Sequence, residues 1–217
     1  MANHIVTAAK LKRRFLMSAA VFLAGAFVAR AESNAFVVLA NAQVIESSGI
    51  AFSQRRGDVL WTHNDSGDTP RLFAFDPAGH DLGTFPVEPA EAVDWEDLCS
   101  ATIGGKPCLV VADTGDNQRK RARVTLYIVE EPDLSTDRVA RVIRTIPFTY
   151  EDGRQNCEAI AVSPDEPVFY LVTRGDEHQR ILYELPFTDT VARVIMKLDL
   201  PQVTVASAGR VFKGFGH

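Results

Sequence analysis

Trp61-Thr62-His63-Asn64-Asp65-Ser66-Gly67-Asp68 returns in altered form as Val110-Val111-Ala112-Asp113-Thr114-Gly115-Asp116-Asn117, and more weakly as Leu171-Val172-Thr173-Arg174-Gly175-Asp176. Each version is a run of β-forming residues that stops in small, acidic, turn-forming ones, so each reads as a strand entering a tight hairpin. Upstream of each lies a second recurring piece: Ser48-Gly49-Ile50-Ala51-Phe52, Glu96-Asp97-Leu98-Cys99 and Glu158-Ala159-Ile160-Ala161-Val162. Ser48, Glu96 and Glu158 open these pieces at spacings of 48 and 62 residues. Asp65 and Asp113 each follow the start of their unit by the same 17 residues.

Aligning the pieces predicts three units of four strands. The first runs over 49–52, 59–63, 72–75 and 82–87, the second over 97–103, 108–112, 124–129 and 139–148, and the third over 159–162, 168–173, 181–185 and 191–198. Val139-Ala140-Arg141-Val142-Ile143 reappears as Val191-Ala192-Arg193-Val194-Ile195, which fixes the register between the second and third units. Four strands at a period near 50 residues is the pattern of β-propeller blades. A β-sandwich also supplies many short strands but does not require one motif at one offset. The fold class expected is therefore all-β, a propeller of four-stranded blades. The apolar segment 35–45 is read as one further strand before the first blade. Val203-Thr204-Val205-Ala206 resembles the inner strand of a fourth. Three blades do not close a ring, so the chain is expected to be an interrupted form of a longer protein, or to be completed by a second copy as a homodimer.

Residues 1–31 read as a secretory signal peptide: a basic segment with Lys10, Lys12, Arg13 and Arg14, an apolar run over 15–28, and Ala29-Arg30-Ala31 as the cleavage pattern. The run is short for a membrane span, although an uncleaved anchor is the alternative. The domain expected is then a partial propeller over 32–217, secreted or periplasmic, with no membrane span after cleavage. Cleavage would remove 5 of the 23 basic residues and no acidic one, leaving 18 against 28, a net charge of −10. That balance argues against nucleic acid or an anionic membrane as the main partner and is compatible with bound cations. With 46% hydrophobic and 24% charged residues the chain has the means to fold around a core.

In a propeller the first strand of each blade lines the axis, so Glu96 and Glu158 are expected to converge there, with Asp65 and Asp113 ending the second strands nearby. Carboxylates gathered without Lys or Arg between them repel one another, and a hard cation relieves this. The candidate metal ligands are Asp65, Glu96, Asp113 and Glu158, and the candidate ion is Ca²⁺ or Mg²⁺. The same aspartates also suit turns that use no metal. Arg119-Lys120-Arg121-Ala122-Arg123 is either a solvated loop or an anion clamp through Arg119, Arg121 and Arg123. Cys99 and Cys108 flank the turn Gly104-Gly105-Lys106-Pro107, and a disulfide between them is plausible if the strand register allows it. Cys157 would then be unpaired. His63 is expected to be packed rather than catalytic, and no nucleophile elbow, phosphate loop, zinc motif or dinucleotide fingerprint occurs.

The set Ser48-Gly49-Ile50-Ala51, Trp61 to Gly67, Asp94-Trp95-Glu96-Asp97-Leu98, Ala112 to Asn117 and Glu158-Ala159-Ile160-Ala161 resembles a family of secreted bacterial propellers. More distantly it is similar to the gluconolactonase/regucalcin and phytase-like esterase six-bladed propellers. The resemblance implies a divalent metal on the axis held by a Glu that opens an inner strand, here Glu158 or Glu96. It also implies metal-assisted hydrolysis of a lactone or an ester, phosphate esters included. The alternative, from a different class, is a non-catalytic propeller that binds a protein or a glycan, or an inactive fragment.

Overall fold

The computed structural model describes residues 37–174 and 179–199, and every regular element among them is a β-strand. The strands form three four-stranded antiparallel meanders. The first blade is β1 (Ser47–Phe52), β2 (Leu60–Asn64), β3 (Arg71–Phe75) and β4 (Asp81–Glu88). The second is β5 (Trp95–Ile103), β6 (Lys106–Asp113), β7 (Val124–Glu130) and β8 (Ala140–Tyr150). The third is β9 (Cys157–Val162), β10 (Val168–Arg174), β11 (Gln179–Pro186) and β12 (Val191–Asp199). Each of the twelve overlaps a strand expected from sequence. The inner strands β1, β5 and β9 lie side by side. Short parallel pairings join the outer strands, Val87 with Ala140 and Thr149 with Val191. This is the blade arrangement of a β-propeller, an open arc of three blades among the described residues.

Alternation along the strands explains how the blades stack. A strand presents successive side chains to opposite faces, so a blade between two others must be apolar on both. In β6, Leu109 and Val111 join Trp61, Leu72, Phe85 and Leu98 in a core between the first and second blades. Cys108, Val110 and Ala112 join Ile160, Phe169 and Leu171 between the second and third. Every residue of β6 from Cys108 to Asp113 is buried.

Polar stitches at the blade seams supplement this packing. Asp97 is fully buried and accepts the amide of Ile160 in β9 at 2.8 Å as well as that of Leu98 at 2.8 Å. Thr114 donates its hydroxyl to the Cys157 carbonyl at 2.9 Å. Ser48, in β1, donates to the Glu96 carbonyl at 2.6 Å. At the opposite end of the first seam Glu131, 1% exposed, accepts from Trp61 Nε1 at 3.0 Å, from the Gln54 amide at 2.8 Å and from the Ser53 hydroxyl. Buried carboxylates are tolerated when donors surround them in this way.

Two expectations are corrected here. The described part of segment 35–45 forms no strand. It is a loop tied by the Ala40 amide to the Gly79 carbonyl at 2.8 Å and by Asn41 to Thr84 at 3.1 Å. Val38 and Ile45 are more than 80% exposed, so its apolar residues are not drawn into the core. The Cys99–Cys108 disulfide is absent, and Cys99, Cys108 and Cys157 are all free and buried. The turn at Gly104-Gly105 sets Cys99 opposite Val110 and Cys108 opposite Ala101. That leaves the two cysteines diagonal on one face, where Cβ atoms lie roughly 7 Å apart against the ~4 Å a bridge needs. The signal peptide, the turn Gly175-Asp176 and the strand expected at 203–206 lie outside the described residues.

Candidate functional site

Glu96 and Glu158 are each the second residue of an inner strand, the place that Ser48 takes in β1. Asp65 directly follows β2, and Asp94 directly precedes β5. One carboxylate oxygen from each of Asp65, Asp94 and Glu96 lies within 4.8 Å of the others. Asp94 and Glu96 come together across the irregular start of β5, where the register with β6 shifts between Trp95 and Asp97. The crowding requires a glycine beneath them: a Cβ on Gly115 would stand 2.3 Å from the Asp94 carboxylate and 2.4 Å from that of Glu96.

This gathering is electrostatically costly. Burial, then the neighbouring charges of Glu158, Asp94 and Asp65, push the Glu96 carboxyl up to about 9. Glu96 is 8% exposed, and its carboxylate has no hydrogen-bond donor among the described residues. Burial also raises Asp94, with Asp65 adding to the effect. Glu158 is raised mainly by burial, an effect Arg174 at 3.9 Å and the Asn156 amide at 2.6 Å offset in part. Two of the four acids expected as ligands, Asp65 and Glu96, therefore meet directly, and Glu158 acts on them through its charge.

Asp113 does not join them. Arg121 pairs with it at 2.8 Å, and it accepts the Asp94 amide at 3.0 Å, so it is the post that holds Asp94 in place. The other hairpin acids are turn residues. Asp68 takes Arg71 through both oxygens, at 2.9 and 2.7 Å, and the Thr69 amide at 2.7 Å. Asp116 accepts the amides of Lys120 and Arg121 at 2.7 and 2.8 Å. Asp94 is the member that the hairpin motifs alone do not single out; its signal was its position two residues before Glu96.

His63 is fully buried beside the cluster, edge-on to Trp95 at 5.6 Å between ring centroids. Burial lowers its affinity for a proton. With Nδ1 2.7 Å from the Asn64 carbonyl, it is a neutral packed histidine donating from that nitrogen. The basic run is a pinned loop rather than a free one. Arg119 has a φ of 50°, its amide bonds the Asp116 carbonyl at 2.8 Å, and the Asp116 amide bonds Asn156 of the third blade at 2.6 Å. Among the described residues no helix is long and apolar enough to cross a membrane.

No protein-family model matches the sequence, and no curated protein matches it. Among solved structures the chain is similar to the β-propeller domain of Cps50 (Swd1) from Myceliophteria thermophila, at 16% identity and a TM-score of 0.42. That match covers 77% of this chain and 48% of the other. It is also similar to Sqt1 from Saccharomyces cerevisiae, at 12% identity and a TM-score of 0.37 over 72% of this chain and 36% of the other. The chain thus spans less than half the length of either solved chain.

Proposed function

We propose that this chain is a propeller-type binding module whose axial end holds a divalent cation through Asp65, Asp94 and Glu96, with Glu158 contributing charge, and whose loops engage a protein or glycan partner. The observation that carries this reading is the convergence of three carboxylates around Glu96, which is more than nine-tenths buried and lacks a donor among the described residues. An all-oxygen donor set suits Ca²⁺ or Mg²⁺. Oxygens on opposite sides of Ca²⁺ stand about 4.6–5.2 Å apart, twice its bond length, whereas those on Mg²⁺ stand about 4.0–4.2 Å apart. A mutual spacing within 4.8 Å puts the three oxygens within the span that either ion bridges. The seams and hairpin acids that serve only the scaffold, Asp68, Asp97, Asp113 and Asp116, support a rigid binding body. Secretion through residues 1–31 belongs to the same reading, since millimolar Ca²⁺ is a feature of extracellular sites.

The test is thermal unfolding of chelator-treated protein with and without Ca²⁺ or Mg²⁺. Saturating Ca²⁺ at about 100 times its dissociation constant should add about 2.7 kcal/mol, and the variant Glu96→Gln should lose that gain. A midpoint indifferent to both ions removes the cation from the reading. A second reading, hydrolysis of a lactone or ester at the same place, is favoured by Glu158, whose raised proton affinity beside the three ligands suits a general acid or base. The ion would supply Lewis acidity. Turnover of lactone, carboxylic ester or phosphate ester probes that disappears in Glu158→Gln would establish it.

A further inference from the structure

A cavity of about 180 Å³ opens between the loop that follows β6 and the loop that follows β8. Arg121, Arg123 and Arg154 line it, over a floor made by Val124, Phe148 and Tyr150. Three guanidinium groups around one small cavity repel one another, so their charge needs an accounting. Arg121 is committed to Asp113 at 2.8 Å and to the Gly115 carbonyl at 2.8 Å. Arg123 is exposed and has neither a hydrogen bond nor an ion pair among the described residues. Arg154 makes a single 3.5 Å contact, to the Arg119 carbonyl. The one carboxylate in the lining, Asp116, is occupied by the amides of Lys120 and Arg121. Those bonds hold the loop in place without cancelling its charge, and the three arginines still outnumber Asp116 and the Asp113 paired with Arg121.

We infer that this cavity is a binding site for a small organic anion, a carboxylate or phosphate group carried on a compact apolar body. Guanidinium groups pair with planar carboxylates and with phosphates through two parallel N–H bonds, while the aromatic and aliphatic floor takes the apolar part. The volume is below the 300 Å³ or so at which drug-sized pockets begin, which restricts the body to about one ring or a short chain. The loop backbone is fixed in advance by Asp116 and Asn156, so binding does not have to order it. This site is distinct from the carboxylate cluster, to which it is joined through Arg121 and Asp113.

The experiment is titration calorimetry of the full chain in chelator, with benzoate, phenyl phosphate, inorganic phosphate and neutral benzamide as probes. Benzoate and phenyl phosphate should saturate at one site, benzamide should bind at least tenfold more weakly, and inorganic phosphate should bind more weakly than its phenyl ester. Arg123→Ala and Arg154→Ala should each weaken the anions about fivefold or more with an unchanged unfolding midpoint, because both side chains are exposed. Equal binding of benzamide and benzoate, unchanged affinity in the double variant, or no saturable binding of either organic anion would overturn the site. Inorganic phosphate binding as tightly as phenyl phosphate would overturn the role of the apolar floor.

Discussion

At the scale of single residues, Glu96 concentrates the cost of the site. Its folded carboxyl titrates at about 9 against 4.5 for the free side chain. Below the lower value both folded and unfolded chains hold the proton, and the group has no net effect. Between the two, only the unfolded chain releases it, so stability falls as pH rises through that window. Chelated protein should therefore lose stability in urea from about pH 5 to pH 9, and Glu96→Gln, which keeps the shape without the ionisation, should flatten the decline. Equal slopes in the two proteins would show that the carboxyl is not held protonated. Burial raises Glu158 and Asp94 in the same direction and adds to the slope. Glu96 and Glu158 were legible as the acids that open apolar strands. Asp94 was not, because its role depends on Asp113 and Arg121 holding a loop residue against the next strand, and no short pattern encodes that.

At the scale of elements, alternation and turn chemistry carried the twelve strands, since β6 and its neighbours are apolar runs closed by residues that strands reject. The same logic misjudged segment 35–45, where Val37 and Val38 have the composition of a strand but remain exposed in a loop tied to the first blade at Gly79 and Thr84. Register was the other loss: the two-residue turn at Gly104-Gly105 moves Cys99 and Cys108 out of opposition. What the elements add beyond pairing is the side chain of Asp97, which couples β5 to β9. Asp97→Ala leaves the buried amides of Leu98 and Ile160 without their acceptor, so it should destabilise the chain by about 3 kcal/mol in urea denaturation. A loss below about 1 kcal/mol would mean that the stitch is dispensable.

At the scale of the whole molecule, the second blade alone is covered by a neighbour on both faces among the described residues. Amide exchange should therefore be slowest in β6, where residues Cys108 to Asp113 are all buried, and faster in β1 and β12. Uniform protection across the three blades would instead indicate one cooperative unit. The first seam also has unlike ends. At one, Glu131 draws Trp61, Gln54 and Ser53 of the first blade onto the second. At the other, Asp65 faces Asp94 and Glu96 across the same boundary. Clasped at the bottom by Glu131 and held at the top by the Ser48 bond beside the acids, the first seam is a hinge with one strong knuckle and one weak one, and ionisation of the upper acids bears on the weaker.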